Sequence, residues 1–136
     1  MNKLFLYILI CFLSIRITAQ EPVPVKPRIL VSTDIGGTDP DDNQSMIHLL
    51  MYNEKFLIEG LVSSPSFGEG NKEEILRTID LYEKDLPKLK THVQGLASPK
   101  YLRSITKQGR KGAAPLEGFA TSTEGSDWII KCALKK

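Results

Sequence analysis

Two apolar segments, each followed by a polar, glycine-bearing loop and then by a helical pattern, constrain the fold of this chain most strongly. Residues 28–34 read Arg-Ile-Leu-Val-Ser-Thr-Asp, and residues 56–63 carry a similar run of leucine, isoleucine and valine. Short segments of continuous apolar character are typical of strands buried on both faces, as in a parallel sheet. Repeated strand–helix units are joined by right-handed crossovers. The sequence therefore predicts an α/β protein with a parallel β-sheet and flanking helices.

Helical spacing of apolar side chains places the helices between and after these strands. The predicted helices cover residues 43–52 and 72–83, and a further helix begins at 127–135. A short third strand is predicted at residues 91–96. The interval 97–118 is predicted to be mostly loop with one helical turn, because it lacks a sustained apolar period.

The first 19 residues have the three-part pattern of a secretory signal peptide. Their apolar run, from residue 4 to residue 15, is shorter than the ~20 residues that a membrane-spanning helix needs. The alternative is an uncleaved anchor. Cleavage after Ala19 predicts a periplasmic or secreted protein without a membrane segment. Residues 20–27, with three prolines, would then form a linker to a domain at residues 28–136.

Charge and cysteine content exclude several classes of function. A formal net charge of +2 does not favour a nucleic-acid partner. Two cysteines are too few for a disulfide framework or a four-cysteine zinc site. Acidic residues dominate positions 21–85 and basic residues dominate positions 86–136, including the stretch 100–111. The basic stretch is interpreted as a solvated loop, with an interaction surface as the alternative. The oligomeric state stays open.

A cluster of four aspartates directly after the first predicted strand carries the strongest functional signal. The cluster lies within nine residues and consists of Asp34, Asp39, Asp41 and Asp42. Carboxylates this close repel one another unless something positive neutralises them. Their oxygen ligands suit a hard cation such as calcium or magnesium, and Thr33, Thr38 and loop carbonyls would complete the shell. The alternative is a solvated acidic turn in which Asp42 caps the next helix, because aspartate and glycine are also the commonest turn residues.

These residues resemble the N-terminal signature of the inosine-uridine nucleoside hydrolases. In that family a strand ends in an acidic, glycine-bearing loop, and a paired Asp-Asp opens the following helix. Residues 31–37 followed by Asp41-Asp42 are similar to that signature, and Gly70-Asn71 is similar to the Gly-Asn after the second strand of the family. Ser32 departs from the pattern, since the hydrolases carry an aspartate there.

The chain is more similar still to a bacterial nucleoside-hydrolase-like family described as cellulose-binding proteins. Members of that family have the longer loop Thr-Asp-Ile-Gly-Gly-x-Asp-Pro-Asp-Asp, as at residues 33–42 here. The resemblance covers residues 28–136 and implies a nucleoside-hydrolase-like, Rossmann-like fold. The resembled families extend well beyond this length and take further ligands from later strands. The expectation is therefore that this sequence is the N-terminal part of such a domain, inactive by itself.

The resemblance implies a secreted, calcium-dependent hydrolase of N-glycosidic bonds, acting on a ribonucleoside or another carbohydrate. Asp34 would bind calcium and act as the general base on a water molecule, and Asp42 would be a second calcium ligand. Asp41 and Asn71 would contact the hydroxyl groups of the sugar. Nearby carboxylates also suit the positive charge that develops on the sugar during cleavage.

Two other functions remain open from the sequence. One is a carbohydrate-binding or cellulose-binding protein without turnover, and the other is an inactive remnant of either. A polysaccharide-binding surface would use exposed, coplanar aromatic rings. The sequence offers only scattered candidates for such a surface, namely Phe67, Tyr101, Phe119 and Trp128.

Overall fold

The computed structural model describes residues 25–37, 39–65, 69–112 and 121–135. Its elements in chain order are β1 (Arg28–Thr33), α1 (Asp41–Met51), a 3-10 turn (Asn53–Lys55), β2 (Leu57–Ser63), α2 (Lys72–Leu89), α3 (Pro99–Ser104), β3 (Thr106–Gln108) and α4 (Glu124–Ala133). The predicted signal peptide, residues 1–19, lies outside the described residues. In the described ranges no helix combines the length and the apolar character needed to cross a membrane.

The strands of the described part of the chain form one sheet in the order β1–β2–β3, and both pairings are parallel. Val31 of β1 lies opposite Leu61 of β2, and Leu61 in turn lies opposite Thr106 of β3. This arrangement confirms the predicted α/β class with a parallel sheet. Because the strands are parallel, their carboxyl ends meet along one edge of the sheet, and the loops that follow them lie together there.

Helices α2 and α4 cover opposite faces of the sheet. Leu61 belongs to a buried cluster with Ile75 and Ile79 of α2. A methyl group on Gly125 of α4 would lie 2.6 Å from a side-chain carbon of Val62. Since successive strand residues point to opposite faces, α2 packs on the Leu61 face and α4 on the Val62 face.

The predicted third strand at residues 91–96 is wrong. Helix α2 continues through Pro87 to Leu89, a turn follows, and the strand that pairs with β2 is Thr106–Gln108. Pro87 sits in the last turn of α2, where Leu86 is buried and Leu89 packs against the core. That burial offsets the helix-breaking cost of the proline, about 3 kcal/mol in a helix interior. The sequence Thr-Lys-Gln of β3 has no apolar pattern that would reveal a strand.

The basic stretch 100–111 is only partly a solvated loop. Arg103 lies on α3 and pairs with Asp80 and Glu83 of α2, the Asp80 oxygen at 2.6 Å. Lys107 lies on β3 and pairs with Glu124 of α4 at 3.2 Å. The acidic and basic halves of the chain thus neutralise one another in part within the fold.

A buried polar network closes the end of the core that is remote from the carboxyl edge, the edge of the sheet at which the carboxyl ends of the strands meet. The Asn53 amide NH2 group donates to the Leu50 carbonyl and to the Tyr82 hydroxyl, while its oxygen accepts from Ala97 N–H at 2.6 Å. The Tyr82 hydroxyl donates to the Ala97 carbonyl at 2.8 Å. Asn53 is 2% exposed, so these bonds join α1, α2 and the segment before α3 without help from solvent.

Candidate functional site

The acidic loop, residues 34–42, follows β1 directly, and its first turn is fixed by Ile35 and Gly36. Ile35 is completely buried in the core. Gly36 has a φ of 95°, in the left-handed region that favours glycine. Gly37 N–H donates to the Asp34 carbonyl at 3.2 Å, which closes the turn. Thr38 lies outside the described residues.

The aspartates of the acidic loop form two pairs. The carboxyl groups of Asp34 and Asp42 lie within hydrogen-bonding reach of one another, and those of Asp39 and Asp41 do the same. Burial, and then the Asp34 carboxyl, raise the pKa of Asp42 above its ordinary value. The Asp41 carboxyl is the main cause of the raised pKa of Asp39. The structure therefore brings Asp34 and Asp42 together, and it places the more exposed Asp39–Asp41 pair close enough for weaker charge repulsion between the two pairs.

Asp42 is not the cap of α1, which was the alternative interpretation of the loop. The residue that precedes α1 is Pro40, and Asp41 and Asp42 form the first turn of the helix. The Asp42 carboxylate accepts a hydrogen bond of 2.8 Å from the Thr33 hydroxyl. Thr33 in turn accepts from Ile35 N–H at 3.2 Å. These contacts orient the Asp42 carboxylate toward the end of β1.

The second loop at this edge brings Asn71 against the acidic loop. Asn71 N–H donates to the Ile35 carbonyl at 3.2 Å, and a methyl group on Gly36 would lie 3.1 Å from the Asn71 nitrogen. The Asn71 side-chain oxygen accepts from Glu73 N–H at 3.1 Å and caps α2. The side-chain oxygen of Asn71 is therefore used to cap the helix, whereas its NH2 group can donate hydrogen bonds to a ligand.

Two grooves in the described part of the chain border the acidic loop, and one contains Asn71 while the other contains Asp42. A polar groove of about 350 Å³ is lined by Gly36, Asp39, Asn43 and Asn71, among others. A smaller groove of about 230 Å³ beside β1 includes Thr33 and Asp42. Asn71 and Asp42 therefore do not share a groove, although the same loop borders both.

Sequence reasoning missed Asn43 and Gln108 as residues of this region. Asn43 lies on the first turn of α1 and lines the polar groove. Gln108, the last residue of β3, accepts a hydrogen bond from Lys72 N–H at 2.9 Å and so contacts the second loop. An asparagine directly after Asp41-Asp42 is visible in the sequence as one more polar ligand candidate. Gln108 has no such signal, because its contact is with a segment 36 residues away.

The Asp34–Asp42 pair is a partial ligand set for a hard cation. The described residues contain no group of three or more histidine, cysteine, aspartate or glutamate side chains arranged around a common point for a metal. Burial and, after it, the adjacent Asp34 carboxyl raise the pKa of Asp42, and a divalent cation between the two carboxylates would remove the repulsion between them. Such cations also take hydroxyl, carbonyl and water oxygens. The pair thus fits a cation with two carboxylate ligands and other oxygens completing the shell.

Trp128 and Tyr101, the two aromatic candidates among the described residues, do not form an open platform for a polysaccharide. The Trp128 indole N–H donates to the Glu59 carbonyl at 2.8 Å. The Lys107 and Lys131 ammonium groups lie 4.6 Å and 4.8 Å from the centre of its ring. The Tyr101 hydroxyl donates to a β2 carbonyl at 2.7 Å. Both rings are thus tied to β2, while Phe67 and Phe119 lie outside the described residues.

Comparisons with known proteins agree with this architecture. A family model described as "Cellulose-binding Sde182, nucleoside hydrolase-like domain" matches residues 28–136. A solved structure of a nucleoside hydrolase-related hypothetical protein from Saccharophagus degradans, associated with carbohydrate metabolism, superposes with a TM-score of 0.72 at 28% sequence identity. The match covers 83% of this chain and 28% of the length of that protein. No curated protein matches the sequence significantly.

Proposed function

Since the chain belongs to the family of cellulose-binding, nucleoside hydrolase-like domains, we propose that its acidic loop binds a sugar together with a calcium ion. The single observation that carries the proposal is that the Thr33 hydroxyl holds the Asp42 carboxylate at 2.8 Å, beside Asp34 at the carboxyl end of β1. In open α/β sheets, ligands bind outside the carboxyl ends of the strands. Asp34 and Asp42 would hold the cation at that edge.

The sugar would lie along the polar groove beside the loop. Asn71 offers NH2 hydrogens to a hydroxyl oxygen, and Asp39 and Asn43 line the same groove with acceptor oxygens. Asp41, paired with Asp39, would accept from a neighbouring hydroxyl. At about 350 Å³ the groove lies at the small end of ligand pockets. It therefore suits a single sugar ring better than a long polysaccharide segment.

Hydrolysis of an N-glycosidic bond is a second candidate function, favoured by the position of Asp34 directly beyond β1. Asp34 would accept a proton from a water molecule whose oxygen bonds to the anomeric carbon. The bond from that carbon to nitrogen breaks, and the leaving nitrogen takes up a proton. A bound calcium ion would orient the sugar hydroxyls and make the attacking water more acidic. The carboxylates of the loop would stabilise the positive charge that develops on the sugar.

Removing either carboxylate of the Asp34–Asp42 pair is expected to abolish stabilisation by calcium. Wild-type protein should melt at a higher temperature in calcium chloride, because a ligand at about 100 times its Kd stabilises the folded state by about 2.7 kcal/mol. Asp34→Asn and Asp42→Asn should lose that increase. Neither variant should melt lower than wild type without calcium, since each substitution removes a repulsion. Thermal melts with and without calcium, and with magnesium for comparison, test this.

Two matched variants make the calcium experiment specific. Asp85→Asn removes an exposed carboxylate of α2, away from the loop, and should keep the full calcium effect. Asp39→Asn should have a smaller effect than Asp42→Asn, because Asp39 pairs with Asp41 in solvent. Equal calcium shifts in wild type, Asp34→Asn and Asp42→Asn would refute the metal assignment. Release of a free base from a nucleoside would separate turnover from binding alone.

We also propose that the protein is exported, with residues 1–19 removed as a signal peptide. The support is the pattern of the sequence itself, a positive start, a short apolar run and a small-residue site before Gln20. Expression in a bacterium followed by fractionation and N-terminal sequencing should give a periplasmic protein that begins at Gln20. A protein that retains Met1 and stays in the cytosol would contradict export.

A further inference from the structure

Gln108 holds both residues that flank Asn71. Its side-chain oxygen accepts from Lys72 N–H at 2.9 Å. Its NH2 group lies 3.5 Å from the carbonyl oxygens of Gly70 and Ser63, to which it donates. Lys72 follows Asn71 in the chain and Gly70 precedes it. One glutamine side chain therefore connects the turn at Asn71 to the end of β2.

The residues after Gln108 strengthen this connection. Gly70 N–H donates to the Lys111 carbonyl at 2.9 Å, and Glu69 forms an antiparallel bridge with Gly112. Gln108 N–H itself donates to the Glu124 carboxylate at 3.3 Å. Residues 108–112 thus hold residues 69–72 from the side of the sheet.

The opposite side of the same turn contacts the acidic loop. Asn71 N–H donates to the Ile35 carbonyl, and Gly36 approaches the Asn71 backbone so closely that a methyl group there would lie 3.1 Å from its nitrogen. Asn71 is therefore held between the acidic loop and Gln108. Any shift of the turn changes where its NH2 group stands relative to the aspartates.

We propose that Gln108 is a positioning residue, which fixes Asn71 against the acidic loop and thereby sets the affinity for the sugar. The effect on affinity rests on the proposed function, but the placement of Asn71 does not. Gln108 touches neither the aspartates nor the polar groove, so it acts through Asn71. A binding group contributes fully to affinity only when it is held within about 0.5 Å of its productive position. Gln108 restrains the turn that carries Asn71 in this way.

The test compares hydrogen exchange and ligand binding in Gln108→Leu. The Asn71 amide should exchange about tenfold faster than in wild type, as expected from the loss of one or two hydrogen bonds. The Val62 amide, in the sheet, should keep its protection. Gln94→Leu is the matched control, since Gln94 is an exposed glutamine whose NH2 group bonds the Lys90 carbonyl. It should leave both amides unchanged.

Ligand binding is then measured with calcium alone and with calcium plus uridine or cellotriose. Gln108→Leu should keep the calcium-induced rise in melting temperature and lose about tenfold in sugar affinity. A tenfold loss corresponds to about one hydrogen bond between Asn71 and the sugar. Unchanged exchange at Asn71, or faster exchange at Val62 as well, would overturn the positioning role. Faster exchange at Asn71 with unchanged sugar affinity would overturn the claim that the placement of Asn71 sets the affinity.

Two further outcomes keep the inference separate from the proposed function. If wild type binds neither sugar, the proposed function fails, and exchange at Asn71 alone decides whether Gln108 places this residue. If Gln108→Leu does not fold, Gln108→Glu replaces it. Glutamate keeps the acceptor for Lys72 N–H and removes the donors to Gly70 and Ser63. It should show the same selective loss of protection.

Discussion

Replacing Asn53 with alanine is expected to destabilise the protein by about 3 kcal/mol, because each buried polar group left without a partner costs about 1–3 kcal/mol. The substitution removes the acceptor of Ala97 N–H and the donor to the Leu50 carbonyl and the Tyr82 hydroxyl. It also leaves a small cavity at a position that is 2% exposed. Urea denaturation followed by circular dichroism measures the change in the free energy of unfolding.

Tyr82→Phe is the matched variant for this network. It removes both bonds of the Tyr82 hydroxyl, the one donated to the Ala97 carbonyl and the one accepted from the Asn53 NH2 group, but leaves the Asn53 contacts to Leu50 and Ala97 in place. Its expected cost is about 2 kcal/mol, the net worth of two hydrogen bonds at about 1 kcal/mol each. If Asn53→Ala cost no more than Tyr82→Phe, the network would not be the source of stability at this end of the core.

Gly109→Ala is expected to destabilise the protein by about 2 kcal/mol, in the range typical of an overpacked site. A methyl group at Gly109 would lie 2.6 Å from the Ser63 carbonyl oxygen, to which Gly109 N–H already donates at 2.7 Å. The clash is with backbone, which cannot rotate away. The substitution should therefore push apart the ends of β2 and β3.

Gly112→Ala is the control for the clash at Gly109. It lies in the same segment, and a methyl group there meets nothing within 4 Å. Both substitutions reduce the conformational entropy of the unfolded chain in the same way, so the difference in unfolding free energy between the two variants reports the clash. Equal stabilities would show that β2 and β3 are free to separate at their carboxyl ends.

The same segment connects stability with the candidate site. Gly109 directly follows Gln108, which bonds the residues on both sides of Asn71. A displacement of Gly109 should therefore also loosen Asn71, and the two effects can be separated because Gln108→Leu leaves the Gly109–Ser63 contact intact. The carboxyl edge is thus one connected unit, from the acidic loop through Asn71 to the end of β3.

Local pattern predicted the first two strands and the general position of the helices. The apolar runs of β1 and β2, and the helical spacing of Ile75, Ile79 and Tyr82, record which side chains are buried, so the elements are visible in the sequence. The observed ends of the helices differ from the predicted ones where a capping residue or a packing contact sets the end. Helix α4 begins at Glu124 rather than 127 because Thr123 and Ser126 form a reciprocal capping box.

By itself the sequence determined that a parallel α/β sheet forms and that aspartates cluster where its first strand ends. The physical reason is that buried strands and helices require apolar residues at a regular spacing, which is visible along the chain. Only the tertiary structure decided that Asp42 pairs with Asp34 while Asp41 pairs with Asp39. Only the tertiary structure, likewise, made Thr106–Gln108 the third strand and brought Gln108 to the turn at Asn71. These contacts either join residues that are remote in the chain or depend on the path of a loop. Neither kind of contact produces a periodic pattern in the local sequence.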